Sequence, residues 1–244
     1  MGTCESATTC AKQGRGMLTS PADLLARLAR ELDAEADLDR MLQRVVDATL
    51  TEIGGAEHAG ITLAERNSVS TRVATSDLVR KVDKIQYDTG EGPCLQAVND
   101  RIEVIRVDDL RRETRWAAFT PRAVKLGVAA VLSFNLYAHH EVLGALNIYA
   151  TRPRPFTDDS VHMGSLLAAH AALGLAATRK ELNLQEALES RDIIGQAKGI
   201  LMERFKITSR EAFDMLVIAS QETHRKLRDL ASELATTGTL SGLE

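Results

Sequence analysis

The stretch that opens at Thr157-Asp158-Asp159 constrains the fold more than any other part of this chain. A capping threonine is followed by two acids at the positive end of a helix dipole, and the segment then carries Val161, Leu166, Leu167, Leu173, Leu175, Leu182 and Leu188 without a proline. Gly174 is its one glycine between residues 165 and 190. The pattern predicts a helix that outruns a single domain by about five or more turns. Leucines 166, 173, 175, 182, 184 and 188 include seven-residue steps, which suit a two-stranded coil. The first half can pack on its own sheet; past Arg179 no partner is evident, and self-association into a homodimer is favoured there.

Beyond Arg191 the pattern becomes short and purely helical. Ile193, Ala197, Ile200, Leu201 and Phe205 fall on one face, and Thr208-Ser209-Arg210-Glu211 is a capping box that starts a second helix with Ala212, Phe213, Leu216 and Val217. Leu227, Leu230, Ala231 and Leu234 give a third face. Three such helices share one small core, and the first of them can continue directly from the long helix.

Upstream, Ser20-Pro21-Ala22-Asp23 signals a helix start, with Leu24, Leu25, Leu28 and Leu32 at helical spacing. A second set, Leu38 to Leu50, ends at Gly54-Gly55. Period-two alternation then marks strands at Ile61 to Leu63, Val69 to Val73, Ile102 to Val107, Val131 to Tyr137 and Val142 to Tyr149. The last two, separated by Ala138 to Glu141, read as an antiparallel hairpin. Thr120-Pro121 opens a short helix through Leu126, with Thr120 as its cap.

A length of 244 residues favours two modest domains, and 44% apolar with 26% charged residues fits a folded chain. The net charge of −4 supplies no global field for nucleic acid, so polyanion binding needs a local patch. Cys4, Cys10 and Cys94 form no paired framework, and neither a signal peptide nor a continuous run of about 18 apolar residues is visible. A reducing cytoplasm, with no membrane partner, is the expectation.

Signatures of catalysis are weak: a P-loop, HExxH, CxxC and GxSxG are all absent. Gly90-Glu91-Gly92-Pro93-Cys94 reads as a tight turn before a helix. Cys94 there is either a small buried residue or a thiol near a helix N-terminus, open to a sensing or redox role. His139-His140, with only Glu141 nearby, reads as a solvated turn rather than a metal site. A non-enzymatic chain with no cofactor and no metal follows.

Residues 20–178, with Gly90-Glu91-Gly92-Pro93-Cys94, Leu143-Gly144-Ala145-Leu146-Asn147-Ile148-Tyr149 and Phe156-Thr157-Asp158, resemble a GAF domain of the actinobacterial kind. Ile194-Gly195-Gln196-Ala197-Lys198-Gly199-Ile200-Leu201-Met202, Glu211-Ala212-Phe213 and Lys226-Leu227-Arg228-Asp229-Leu230-Ala231 are similar to an ANTAR domain. The resemblance implies an RNA-binding regulator of transcription antitermination that grips paired stem-loops in nascent RNA as a dimer. The sensor lacks the Asn-Lys pair that accompanies cyclic-nucleotide binding and the Cys-His pair of bilin attachment. Its input is an unknown small molecule, the redox state of Cys94 or a partner protein.

The expected architecture is therefore a tail (1–19), an α+β GAF-like antiparallel sheet domain (20–178), a helical, coiled-coil connector (179–190), an all-α three-helix ANTAR bundle (191–237) and a C-terminal tail (238–244). The RNA-contact candidates are Gln196, Lys198, Gly199, Arg204, Arg210, Arg225, Lys226 and Arg228. Acids are as numerous as bases in this module, so a basic patch must arise by arrangement. Lys198 points away from the Ile193/Ala197/Ile200 face. A mid-helix Gly199 costs about 1 kcal/mol relative to alanine, reasonable where another helix or an RNA backbone comes close. The competing readings are a DNA-binding module, against which the apolar Glu211 to Ser220 segment argues, and a protein-interaction module with no RNA target.

Overall fold

A computed structural model describes residues 37–65, 68–138 and 140–239. The helix expected from Ser20 and the tail over residues 1–19 lie outside this range, as do residues 240–244 of the C-terminal tail. The chain divides into two compact units, with the boundary after Leu175.

In the first unit, α1 (Leu38–Glu52) starts where the Asp37 carboxylate accepts the Asp39 N–H at 3.0 Å. Met41, Leu42, Val45, Val46 and Thr49 recur at helical spacing and are buried. Five strands follow in one antiparallel sheet: β1 (His58–Glu65), β2 (Ser68–Ala74), β3 (Val104–Val107), β4 (Ala130–Ala138) and β5 (Glu141–Ala150), in the order β2-β1-β5-β4-β3. The expected hairpin of the last two strands is present, pairing Ser133 with Asn147 and Leu132 with Ile148. Between strands lie α2 (Asp77–Thr89), α3 (Pro93–Asn99), a 3-10 turn at Leu110–Arg112 and α4 (Thr120–Lys125).

Because successive strand residues face opposite ways, the sheet has two different faces. One presents Ile61, Leu132, Phe134, Leu136, Leu146 and Ile148, all buried. Phe134 lies so close to Gly164 that no larger residue fits there. The other face lies under α2 and α3 and joins a core that includes Val79, Val82, Ala97, Trp116, Phe119, Val131 and Tyr149. α2 was not anticipated from the sequence. Thr120 is no cap either: the N-cap of α4 is Phe119, and the Thr120 hydroxyl is buried without a partner.

The long helix is α5 (Asp158–Phe205), 48 residues, started by reciprocal bonds between Thr157 and Ser160. It is the one described helix long and apolar enough to cross a membrane by composition, although 44% of that stretch is buried inside the protein. Leu167, Ala168, Ala171 and Ala172 are buried, while Leu173, Leu182, Leu184 and Leu188 are 55 to 61% exposed.

The second unit joins the end of α5 to α6 (Ser209–Thr223) and α7 (Leu227–Thr237). The capping box is present: Thr208 Oγ1 accepts the Glu211 N–H at 3.3 Å, and Glu211 Oε2 accepts the Thr208 N–H at 2.7 Å. Ala197, Leu201, Ala212, Leu216, Ala219, Leu230, Ala231 and Leu234 form the core. Alanines at the crossings let the helices approach closely. Phe205, read from spacing as a core residue, is instead 47% exposed, because α5 ends there and has no further turn to hold its ring inward.

Candidate functional site

A row of polar side chains crosses the buried face of the first unit's sheet. Thr71 on β2, Thr62 on β1, Asn147 on β5 and Ser133 on β4 are linked in sequence. The Tyr87 hydroxyl bridges Thr71 and Thr62 at 3.0 and 2.8 Å, Asn147 donates to Thr62 at 3.3 Å, and Ser133 donates to Asn147 Oδ1 at 2.9 Å. Such a buried row is stable only when its members satisfy one another.

At one end of the row sits Asp83, fully buried on α2. Its hydrogen-bond partners are neutral: the Tyr149 hydroxyl at 2.5 Å, the Thr71 hydroxyl at 2.8 Å and Gln86 Nε2 at 3.4 Å. Burial pushes its carboxyl up to about 6, and these three donors together with the Thr62 hydroxyl hold it from going higher. The group thus changes charge near neutral pH in a place water does not reach. The sequence carries a signal for it, an acid on the Val79, Val82, Gln86 stripe of α2.

The Gly90 to Cys94 motif has a structural explanation. Gly90 closes α2 in the left-handed region, and Gly92 has φ +135 with the Gln86 side chain pressed against it where a Cβ would stand. Gln86 Oε1 accepts the Cys94 N–H at 2.9 Å, so one glutamine closes α2 and caps α3. Cys94 is fully buried, and burial, reinforced by the negative charge of Asp83, pushes its thiol up to about 12. The thiol is held as a thiol. Among the described residues no three His, Cys, Asp or Glu side chains converge as metal ligands would.

The eight contact candidates all lie in the second unit, on different faces. Gln196, Gly199 and Arg204 line a shallow groove with Ile200, Glu203 and Ala235. Arg204 also donates to the Gly238 carbonyl at 2.6 Å, past the end of α7. Lys198 lies on another side, its ammonium 6.0 Å from the centre of the Phe213 ring, which is 38% exposed. Arg210 and Lys226 are exposed. Arg225 is paired with Glu233 at 2.6 Å, and Arg228 lies 3.9 and 3.8 Å from Glu186 and Glu189. Nothing lies within 4 Å of the Cβ positions of Gly195 and Gly199, so close helix packing within the unit does not explain either glycine. The exposed aromatics Phe205 and Phe213 were missed as surface groups, because spacing placed both on core faces.

Solved structures share the fold of the first unit. A domain of a putative two-component sensor histidine kinase from Sinorhizobium meliloti superposes with a TM-score of 0.52 at 18% identity, over 62% of this chain and 99% of that one. The GAF domain of a phosphoenolpyruvate-protein phosphotransferase from Coxiella burnetii gives 0.53 at 18% identity, over 66% and 95%. A free methionine-R-sulfoxide reductase from Neisseria meningitidis gives 0.50 at 14% identity, over 66% and 91%. At these identities the likeness concerns the fold alone. No curated protein matches the chain. Family models match residues 35–176 as a GAF domain and residues 182–234 as an ANTAR domain. The chain therefore belongs to the GAF domain family and carries an ANTAR domain behind the GAF domain.

Proposed function

We propose that the chain is a cytoplasmic, non-enzymatic regulator that binds paired stem-loops in nascent RNA and thereby controls transcription antitermination. In this reading a GAF sensor (20–178) and a helical connector (179–190) govern an ANTAR RNA-binding module (191–237). The observation that carries it is the open glycine face of α5 within an ANTAR domain. Two mid-helix glycines cost about 1 kcal/mol each, and no packing inside the unit offsets them. A closely approaching sugar-phosphate backbone does. Gln196 and Arg204 share a groove with Gly199, and Lys198, Arg210, Lys226, Arg225 and Arg228 supply charge on other sides of the same unit. Exposed pairs such as Arg228 with Glu186 and Glu189 are worth little and exchange readily for phosphate contacts. The exposed leucines 173, 182, 184 and 188 support a homodimer, which brings two modules to two hairpins and raises their effective concentration for each other.

Fluorescence anisotropy of the full chain with a labelled two-hairpin RNA tests the reading. The expected result is tight binding that weakens steeply with salt and falls for a single hairpin. Equal affinity for duplex DNA, or no RNA binding, would overturn it.

A further inference from the structure

Aromatic side chains ordinarily supply much of a small domain's core. The second unit is built otherwise. Its buried core is alanine and leucine. Phe205 and Phe213, the only Phe, Tyr or Trp residues from Ala176 onward, stand 47 and 38% exposed.

The helix period lays out what surrounds these rings. On α5, Gly195, Lys198, Met202 and Phe205 recur at intervals of three and four and share one face. Gly199 adjoins that face on the side of the groove. Met202 is exposed as well, and both glycines open on space. On α6, Phe213 has Arg210 one turn before it and Val217 one turn after it. The Lys198 ammonium lies 6.0 Å from the centre of the Phe213 ring. The nearby acids are placed or engaged elsewhere: Asp214 is about 100° further round α6, Glu211 is held in the capping box, and Glu203 pairs with Lys206.

A half-uncovered ring between two cations, beside a shelf of open backbone, suits a nucleic-acid base with its phosphates. Stacking of a base on an aromatic ring needs only a planar apolar face, so it tolerates any base. A protein partner needs a continuous apolar patch, whereas glycines and cations interrupt the exposed apolar side chains of this face. At 6.0 Å the ammonium is at the outer limit of an attractive contact with the ring, so it loses little by moving to a phosphate.

We propose that Phe213 is the platform on which one unpaired loop base stacks, with Lys198 meeting the adjacent phosphate and the strand running on over Gly195 and Gly199. The inference rests on the reading of the second unit as RNA-binding and adds what that unit recognises, a base outside its helix. Bases inside a duplex are stacked on one another and cannot occupy the platform, so it selects hairpin loops over stems and over duplex DNA.

Fluorescence anisotropy of the full chain with a labelled two-hairpin RNA, at several salt concentrations, tests it. Phe213→Leu is expected to weaken binding about tenfold while leaving the slope against salt unchanged, because it removes a stack and no charge. Phe213→Tyr, which keeps the ring, should recover most of that loss. RNAs carrying one abasic loop position each locate the partner: one of them should bind the wild-type chain about tenfold more weakly and be indifferent to Phe213→Leu. Thermal melts confirm that the variants fold, as substitution at an exposed position should allow. Wild-type affinity in Phe213→Leu overturns the platform and leaves RNA binding standing. An effect of Phe213→Leu that is the same on every abasic RNA also overturns it. A shift from dimer to monomer in light scattering on Phe213→Leu would assign the ring to a protein contact instead. Absence of any RNA binding by the wild-type chain overturns both readings together.

Discussion

Gln86 and Cys94, on successive helices, are joined by a hydrogen bond of 2.9 Å in which the Gln86 side-chain carbonyl accepts the Cys94 backbone N–H. The same side chain touches Gly92 and donates to the Asp83 carboxylate and the Tyr149 hydroxyl. It therefore closes the first turn of α3 and the end of the polar row at once. Gln86→Ala strands a buried N–H and opens a void, and is expected to cost about 2 to 4 kcal/mol in urea unfolding. Gly92→Ala should cost a comparable amount, through its φ and through collision with Gln86. If both variants unfold at the wild-type midpoint, the glutamine is not the keystone of this turn.

Asp83 makes the stability of the first unit depend on pH. Its carboxyl titrates at about 6 when folded against 3.8 when free, so the native state holds the extra proton in that window. The stabilising contribution is complete below about pH 4 and is lost as pH rises past about 6, by at most about 3 kcal/mol. Glu57, Glu113 and Glu211 are shifted the other way by their hydrogen bonds, so the total curve mixes both signs. Asp83→Asn isolates the group: its stability advantage over wild type should grow between pH 4.5 and 7.5. A constant difference across that range would refute the assignment.

The sheet, the closing hairpin, the long helix and the capped bundle were all legible in the sequence because each rests on a local period or a local cap. The polar row was not. Thr62, Thr71, Ser133 and Asn147 come from four strands and meet only through register, and Asp83 looks like an ordinary surface acid until the sheet covers it. α2 escaped notice because its apolar stripe is interrupted by Asp83 and Gln86, the two residues that face the row. Phe205 and Phe213 show the converse. Helical spacing assigns a face, but it does not say whether a neighbouring helix reaches far enough to cover it.

Cys94 is buried beside Asp83 and keeps its proton up to about pH 12. The thiolate is the reactive form, so native Cys94 should resist alkylation at pH 8. Cys4 and Cys10 are replaced by serine to leave this thiol alone. Labelling with an aromatic disulfide is then expected only at the rate of unfolding, and to become fast in denaturant. Stoichiometric labelling of the native chain within seconds would restore Cys94 as a redox input.

Gly199 separates a structural role from a binding role. With open space at its Cβ position, Gly199→Ala should stabilise the second unit by up to about 1 kcal/mol through helix propensity alone. The added methyl group stands on the face assigned to the RNA backbone, so the same variant should bind a two-hairpin RNA more weakly. Lys198→Ala, by contrast, removes a charge while leaving the helix intact, and should lower both the affinity and the slope of its dependence on salt by about one counterion. A glycine kept for internal packing gives the opposite pattern on alanine substitution, with stability falling and RNA affinity following it down. Thermal melts and anisotropy on the same preparations distinguish the two, since only a surface reserved for close approach makes the better-folded protein the poorer binder.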